Sequence, residues 1–524
     1  MKNRSLFVRG SSTQSFSNSL SETPLIQAPS TPDKPLQRDG VGFKLICGLL
    51  LALTSLGLSS CHSAAYYYYK FPEYNYAGRP VPPSKLAQRV MIGVSANGSS
   101  GSLQIVDALR DIRSNIEDTI PGFSISGYSS GFPGTILSFP SELRGYVYSN
   151  SDGSLTNINY SSEASSGSVG TFESGSSSVA APPTFSRFYG AEEAAGVLEV
   201  IDNLTGGSYG LNIPNVYKVA VNKGDTVALA MVRNSNVLYR IFKLNQSQYP
   251  TQQAAIAATG SADCQPTLLP VYCAVSVPGT YDEPTGVYFS LDGTTAYILN
   301  CGPECGGKTA SVTLLQQGAL NNNVIPSSPV QPNPMIANVL VPGGVTAALS
   351  DGTTLYLAGQ QLQADGLFAG FLSTINQATN TITGKYSISD GSHSKMLFAD
   401  NNTLWIGSQY CATGERAKLG QNYNCLTRVV LGGTTLSPQV LPNVTPGSAT
   451  AVVPYPNQNN NQYYYGSLTG LCWVQNYNKV YTAYGGQVHI FSTVDGSEID
   501  NQYVTVQGTA LDVAYMDALT DDAD

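Results

Sequence analysis

The sequence contains little charge and almost no histidine. Only 12% of its 524 residues are Asp, Glu, Lys or Arg, against about a quarter in average proteins, and three are histidines. General acid–base catalysis needs ionisable groups held close together, and zinc sites draw on His and Cys. We therefore predict no catalytic residues, no metal and no cofactor. A net charge of −9, with no basic cluster after Lys44, argues against nucleic acid as a partner.

The apolar run near the N-terminus is too short for a comfortable membrane span. It extends from Leu45 to Leu58, fourteen residues, whereas a membrane helix needs about 20. The run follows Lys44 and has the length of the apolar region of a secretory signal. Residues 1–40 before it are polar and lack periodicity. These features predict a disordered region over 1–40 and a signal peptide over 41–60.

The run ends in Leu58-Ser59-Ser60-Cys61. This order, an aliphatic residue, two small residues and a cysteine, resembles the lipobox of bacterial lipoproteins. The resemblance implies that the Cys61 thiol carries a lipid and that the peptide is cut before it. The expected location is the cell envelope, periplasmic or at the cell surface, with the membrane as partner through the lipid anchor and residues 61–87 as a tether. The alternative is an uncleaved signal anchor with Cys61 unmodified.

Seven further cysteines follow Cys61, and six of them form three close pairs in the sequence. No pair has the C-x-x-C spacing of a zinc site, so the spacing predicts local disulfides in an oxidising compartment. Cys472, the remaining one, lies in an apolar stretch and is predicted to be a buried thiol. The predicted disulfides are Cys264–Cys273, Cys301–Cys305 and Cys411–Cys425.

Glycine (52), tyrosine (32) and runs of Ser, Thr, Asn and Gln take the place of the missing charge. Such a composition suits an all-β protein with many turns. The stretch LDGTTAYILN (291–300) recurs in related form as SDGTTLYLAG (350–359). Asp-Gly between alternating strands favours a hairpin, because both residues tolerate positive φ. Asp292 is therefore predicted to be a turn residue and not a catalytic acid.

Similar hairpins recur at intervals of roughly 40–60 residues, which is typical of a β-propeller. Each unit is expected to be a four-stranded blade. Segments that resemble third strands begin near residues 103, 155, 197, 237, 311, 370, 426 and 488. The count gives eight blades, and seven remains open because the copy near 197 has a poor inner strand. Long loops are expected over 245–284 and 441–467.

Several segments resemble the YVTN family of bacterial propellers. The matching residues are Tyr297-Ile298-Leu299-Asn300, SLQIVDALRDIRSNIEDTIPG (102–122) and VLEVIDNLTGG (197–207). The resemblance implies a propeller and says little about function, since propellers host unrelated activities. We expect the propeller to cover 88–518, with the strand in Gly508–Ala518 completing the blade that begins at Gln88–Gly98. Residues 519–524 form an acidic, solvated tail.

Two places are candidates for binding. Tyr463, Tyr464 and Tyr465 lie in an Asn- and Gln-rich loop, a composition that suits sugar or peptide recognition. His393 precedes an inner strand and is expected near the channel mouth, whereas His489 is expected on a sheet face. The leading hypothesis is a binding or scaffold module for a glycan or a protein. The alternative is a lactonase-like hydrolase with its site at the channel mouth, although the sequence shows no repeated ligand pattern there.

Overall fold

The computed structural model describes residues 76–98, 100–113, 122–245, 248–321, 328–364, 366–411, 424–433, 435–442, 465–499 and 504–522. The predicted disordered region, the signal peptide, Cys61 and most of the tether lie outside these ranges, as do Tyr463 and Tyr464. Within them, no helix is both long and apolar enough to cross a membrane.

The described chain is mainly β-strand, as predicted, and its strands form eight antiparallel sheets. We number the sheets as blades 1 to 8 in ring order and give the inner strand first. Blade 1 contains β31 (Thr509–Tyr515), β1 (Arg89–Ser95) and β2 (Gly101–Asp107). Blade 2 contains β3 (Pro133–Phe139), β4 (Arg144–Ser149), β5 (Ser154–Asn159) and β6 (Ala164–Thr171). Blade 3 contains β7 (Ser178–Ala180), β8 (Arg187–Glu192), β9 (Val197–Asp202) and β10 (Gly207–Asn212). Blade 4 contains β11 (Val216–Val221), β12 (Ala228–Val232), β13 (Leu238–Lys243), β15 (Tyr272–Ser276) and β14 (Asp263–Gln265).

The second half of the chain supplies the other four blades. Blade 5 contains β16 (Pro284–Phe289), β17 (Thr295–Asn300), β18 (Ser311–Gln316) and β19 (Met335–Leu340). Blade 6 contains β20 (Gly344–Ser350), β21 (Thr354–Leu362), β22 (Phe368–Asn376) and β23 (Thr381–Ser387). Blade 7 contains β24 (Ser392–Ala399), β25 (Thr403–Gln409), β26 (Leu426–Val430) and β27 (Ser437–Leu441). Blade 8 contains β28 (Leu468–Val474), β29 (Lys479–Tyr484) and β30 (Gln487–Ser492). The helices are α1 (Gln252–Thr259), α2 (Gln317–Leu320) and two short 3₁₀ helices, Pro140–Glu142 and Gly302–Cys305.

The blades form a closed ring, and the number is eight. All eight segments predicted as third strands are third strands: β2, β5, β9, β13, β18, β22, β26 and β30. The poor inner strand noted for the third copy is β7, which has three residues. Eight clusters of buried apolar side chains lie between neighbouring blades, one at each joint. The ring is therefore held by hydrophobic burial at every joint.

Ring closure follows the prediction. The C-terminal strand β31 pairs antiparallel with β1, with Ala514 opposite Met91, and becomes the inner strand of blade 1. This pairing covers a strand edge that would otherwise invite association with another chain. Blades 1 and 8 are joined by a core that includes Val90 and Tyr481. The last strand of the chain thus completes the first blade.

A buried charge network reinforces the closure. The Arg89 guanidinium holds Asp517 through Nη2–Oδ1 (2.6 Å) and Nε–Oδ2 (3.0 Å). Its Nη1 contacts Glu163 Oε1 (3.0 Å) in the turn between β5 and β6. Arg79 adds a contact with Asp517 Oδ1 at 2.9 Å. Because Arg89 is only 3% exposed, both carboxylates are needed to compensate the loss of its hydration.

Two details of the blades differ from the prediction. Blade 4 has five strands, because residues 245–284, expected to be a loop, contain α1, β14 and β15. In the described chain, blades 1 and 8 have three strands. An isolated β-bridge pairs with the outer edge of each third strand: Gln104 with Ser124 in blade 1 and Phe491 with Glu498 in blade 8. The sequence predicted uniform four-stranded blades. Alternation of apolar residues indicates where strands lie, but it does not show how many strands pair in one sheet.

The Asp-Gly turns have the predicted structural role. Asp292 Oδ1 accepts hydrogen bonds from the Thr294 N–H (3.0 Å) and the Thr294 hydroxyl (2.8 Å), and Gly293 has φ +71°. Hydrogen bonds from the Ser290 hydroxyl, the Thr294 N–H and the Thr294 hydroxyl lower the pKa of Asp292. Asp351 forms the same contacts with Thr353 and Thr354. Asp292 is therefore a turn residue.

All three predicted disulfides are present. Cys264 and Cys273 face each other across β14 and β15. Cys301–Cys305 and Cys411–Cys425 lie in the connections between the second and third strands of blades 5 and 7. Each bond closes a local segment and none links two blades. Cys472 is a buried thiol in the core between blades 8 and 1, as predicted.

Candidate functional site

The inner strands border the central channel, and seven of the eight contain a β-bulge near their start. A bulge inserts one extra residue and re-aims the side chains beside it. The extra residues are Gly134, Tyr217, Thr285, Thr346, Ser394, Thr469 and Leu511. We call the side of the ring where inner strands begin the loop face, and the opposite side, where they turn into second strands, the turn face. The bulges therefore form a belt near the loop face.

Hydroxyl groups of this belt join neighbouring blades from 4 to 7. In each case the extra residue donates to the carbonyl of the residue just before the bulge of the next blade. The bonds are Tyr217 to Pro284 (2.6 Å), Thr285 to Val345 (2.6 Å) and Thr346 to His393 (2.8 Å). Each bond satisfies a backbone acceptor at a strand start. The belt is thus a structural element as well as the wall of the channel.

An ion pair crosses blade 8 within this wall. Lys395 of blade 7 contacts Asp512 Oδ1 of blade 1 at 3.1 Å, and Asp512 Oδ2 accepts from the Ile136 N–H of blade 2 at 2.9 Å. Both charged residues directly follow the bulges of their strands. Gly470 holds the equivalent position in blade 8, and a Cβ there would lie 2.7 Å from Asp512 Oδ1. Glycine at this position therefore leaves room for the pair.

Lys218 holds the same post-bulge position in blade 4 and differs from Lys395 in having no partner. No hydrogen bond or ion pair joins its ammonium to the described residues. Its chain extends over blade 5, where a Cβ at Gly286 would lie 3.5 Å from Nζ. Desolvation lowers the pKa of Lys218. An unpaired ammonium in a channel attracts anions, and its neutral form is a nucleophile or base.

Sequence reasoning missed these channel residues. The available signal was a charged residue inside an apolar inner strand: Lys218 in VYKVAV, Lys395 in SHSKMLFA and Asp512 in TALDVAY. Such residues are rarely buried unless they are paired. What the sequence could not reveal is that bulges place all three at equivalent positions around one ring.

The C-terminal tail lies across the turn-face end of the channel and stays largely exposed to solvent, with Leu519 67% exposed. Residues between Leu519 and Asp522 contact the inner turns of three blades. The contacts are Gln475 of blade 8 with Leu519 (2.7 Å), Ser141 of blade 2 with Asp521 (2.8 Å) and Lys223 of blade 4 with Asp522 (2.7 Å).

His393 was expected near the channel mouth, and the structure instead buries its ring. It lies in β24 and is 1% exposed, because the bulge after it turns its side chain into the blade. Nε2 lies 2.8 Å from the Ser389 carbonyl, so Nε2 carries the proton and Nδ1 has no partner in the described chain. Burial lowers the pKa of His393 to about 4. The imidazole is neutral at pH 7.

Tyr465 is a packed residue at the start of blade 8. It is 4% exposed, and its ring stacks on His489 with centroids 3.9 Å apart. Its hydroxyl donates to Glu498 Oε2 (2.5 Å), and Glu498 Oε1 accepts from His489 Nδ1 (2.6 Å). His489 lies on a sheet face of β30, as predicted. The ring of Tyr465 is therefore occupied by contacts within the protein, and binding by Tyr463 and Tyr464 stays a prediction.

Three acids in or beside the strands of blade 3, Glu192, Glu193 and Asp202, each contact a different partner. Glu193 pairs with Arg233, Glu192 accepts from the Glu173 N–H at 2.8 Å, and Asp202 pairs with Lys243 at 2.6 Å. Across the described ranges, no group of three His, Cys, Asp or Glu is placed to hold a metal ion. Each of these carboxylates has a structural partner of its own.

No protein-family model and no curated protein matches this chain. Among solved structures, hydrazine synthase of Kuenenia stuttgartiensis is similar with 12% identity and a TM-score of 0.43, covering 73% of this chain and 100% of that chain. The dihydro-heme d1 dehydrogenase NirN is similar at 11% and 0.46, covering 86% and 83%. The C-terminal WD40 domain of Sif2 is similar at 9% and 0.46, covering 76% and 91%. Such low values carry no argument about function.

Proposed function

We propose that this chain is an exported, lipid-anchored propeller that binds a glycan or a protein at the cell envelope without chemical turnover. The observation that carries this proposal is the engagement of its acid–base groups. The buried His393 ring is hydrogen-bonded to the Ser389 carbonyl. Asp512 is paired with Lys395, and His489 is paired with Glu498. Groups committed to structural partners are poorly placed for proton transfer to a substrate.

Export is supported by the three disulfides, which persist in oxidising compartments. Lipid attachment at Cys61 rests on the sequence motif alone. Metabolic labelling with palmitate, followed by membrane fractionation, tests both points. Cys61→Ser should abolish labelling and leave a slower-migrating precursor, whereas Cys47→Ser serves as a control within the signal. Unchanged labelling of the Cys61 variant would contradict lipid attachment there.

Binding is expected on the loop face, where the closed ring holds the loops on a rigid base and limits the entropy cost of recognition. The test is a screen of the full chain in detergent against a glycan array and envelope proteins. The double variant Tyr463→Ala, Tyr464→Ala should lose binding and keep Tyr465, whose buried ring supports blade 8. Tyr410→Ala, at a position that is 70% exposed on the same face, is the matched control.

The lactonase-like alternative is favoured by one observation, the unpaired Lys218 with its lowered pKa. A lysine in this state can act as a general base at the channel mouth. A screen of lactones and esters separates the two functions. Hydrolysis that is lost in Lys218→Met and kept in Lys223→Met, which removes an exposed lysine, would establish the enzyme. Binding without hydrolysis in the same preparations would establish the binding module.

A further inference from the structure

A cleft opens on the turn face at the joint of blades 6 and 7, outside the belt of the channel. It has a volume of about 520 Å³, within the range of about 300–1,000 Å³ that small-ligand sites show. Four turns or strand ends surround it, from the β20–β21, β22–β23, β24–β25 and β26–β27 hairpins. The side chains that line it include Asp351, Tyr356, Thr383, Tyr386, Phe398 and Asn402.

The floor of the cleft is aromatic and rigid. Tyr356 and Phe398 meet edge to face, with ring centroids 5.8 Å apart and planes at 78°. Tyr356 belongs to the buried cluster that joins blades 6 and 7, and Phe398 packs against that cluster. Since these rings are part of the core, the floor is held in place before any ligand arrives, which lowers the cost of binding.

Tyr386 forms one wall. It is half-buried on β23, the outer strand of blade 6. A Cβ at Gly384 would lie 2.6 Å from the Tyr386 hydroxyl oxygen, so the ring lies along its own strand above this glycine. The hydroxyl has no hydrogen-bond partner among the described residues. The structure thus fixes the ring and leaves its polar end available.

Asn402 forms the opposite rim in the turn between β24 and β25. It is exposed and has φ +54°, a conformation that asparagine tolerates. A Cβ at Gly432 would lie 2.9 Å from Asn402 Nδ2, so this glycine gives the amide its space. The side-chain amide has no partner among the described residues. It can both donate to and accept from a bound molecule.

The carboxylate in the cleft is stabilised by hydrogen bonds from neutral groups. Asp351 accepts from the Thr353 N–H and the Thr354 N–H, each at 2.8 Å, and from the Tyr356 hydroxyl at 3.0 Å. The carboxylate is thus occupied by contacts within its own hairpin. No Lys or Arg is among the described residues that line the cleft, and the Asp351 charge disfavours a bound anion. Thr383 adds a further hydroxyl group, hydrogen-bonded to Thr374 at 2.9 Å.

We propose that this cleft binds a neutral saccharide. Aromatic rings at the floor and wall suit the apolar faces of a sugar, while the Tyr386 hydroxyl and the Asn402 amide suit its hydroxyl groups. The absence of a lining cation disfavours acidic sugars. The proposed site lies on the turn face, and the proposal does not depend on export or on lipid attachment.

The test uses the full chain in detergent on an array of neutral, sialylated and sulfated oligosaccharides, followed by calorimetric titration of the strongest neutral glycan. Tyr386→Phe removes one hydroxyl and should weaken binding by about tenfold. Asn402→Asp keeps the left-handed turn, removes the donor and should cost a similar factor. The control is Tyr209→Phe in blade 3, because a Cβ at Gly207 would lie 2.5 Å from the Tyr209 hydroxyl oxygen, the same glycine–tyrosine arrangement. It should leave affinity unchanged.

Three results would overturn the proposal: no neutral glycan bound, stronger binding of acidic glycans, or affinities unaffected by both cleft variants with circular dichroism unchanged. Choline is included as a probe, since aromatic cages also bind quaternary ammonium groups. Binding of choline without any neutral glycan would likewise contradict a saccharide site. Glycan binding lost only in the Tyr463→Ala, Tyr464→Ala variant would leave the proposed function intact and would contradict a saccharide site in the cleft.

Discussion

At the joint of blades 1 and 2, the Arg89 guanidinium is 3% exposed and is held by two carboxylates, Asp517 and Glu163. At the joint of blades 6 and 7, Tyr386 and Asn402 bring polar groups to the surface and leave them without partners in the described chain. Both joints have an apolar core beneath them. They differ in charge and in access to water.

The difference separates groups that hold the ring from groups that are available to a ligand. A buried ion is costly unless it is paired, so the loss of Arg89 from this network should destabilise the fold strongly. A neutral hydroxyl or amide at the surface is satisfied by water, and its loss costs the fold little. We therefore expect stability to respond strongly at the first joint and weakly at the cleft.

The largest effect is expected for Arg89→Ala. Removing Arg89 leaves Glu163 buried without its counter-ion and leaves Asp517 with the partly exposed Arg79 alone, which should cost about 3–5 kcal/mol of unfolding free energy. Urea denaturation followed by circular dichroism measures it. The control is Arg79→Ala: Arg79 is more exposed and leaves Asp517 paired with Arg89, so its loss should cost much less. Equal losses for the two variants would contradict the comparison.

His393 sharpens the comparison, because it is a buried ionisable group near the joint of blades 6 and 7 that has no charge partner among the described residues. Its pKa of about 4 lies below the usual 6.5 of the unfolded chain, so between these values only the unfolded state binds the proton. Stability should fall as the pH decreases from about 6.5 to 4, by about 3 kcal/mol in total, and this group should have no effect above pH 7.

The measurement is urea denaturation at pH 7.5, 5.5 and 4.5 for the native chain and for His393→Gln. The variant amide can still donate to the Ser389 carbonyl and does not titrate. Its stability should therefore depend less on pH over this interval. Parallel pH profiles for the two proteins would show that His393 is not the responsible group.

Gly470→Ala tests the paired charges of the channel wall. The new Cβ would lie 2.6 Å from the Val513 backbone nitrogen and 2.7 Å from Asp512 Oδ1. Overpacking of this kind costs about 1–3 kcal/mol. Gly318→Ala in α2 is the control, because a Cβ there meets nothing within 4 Å. It should be neutral or slightly stabilising, since alanine is favoured over glycine in a helix. Thermal unfolding of both variants is the measurement.

The ring could be predicted from the sequence, because alternating apolar strands and Asp-Gly turns repeat along the chain and the cysteines pair locally. The cleft could not be predicted in this way. Tyr386 and Asn402 come from hairpins of different blades, and each looks like an ordinary surface residue in its own segment. Conversely, Tyr465 looked like a loop aromatic, and only the fold brings His489 and Glu498 to its ring. Periodicity reports local structure, whereas sites depend on contacts between distant segments.

The smallest effect on stability is expected in the cleft itself. Tyr386→Phe keeps the ring above Gly384 and removes a hydroxyl that has no partner in the described chain, so no internal hydrogen bond is lost. Asn402→Asp keeps a residue that tolerates positive φ at +54°. Each change should alter the unfolding free energy by less than about 0.5 kcal/mol, the usual range for surface positions. Urea denaturation beside Arg89→Ala checks this, and a loss of several kcal/mol at either position would mean that the cleft residues hold the joint and are not set aside for a ligand.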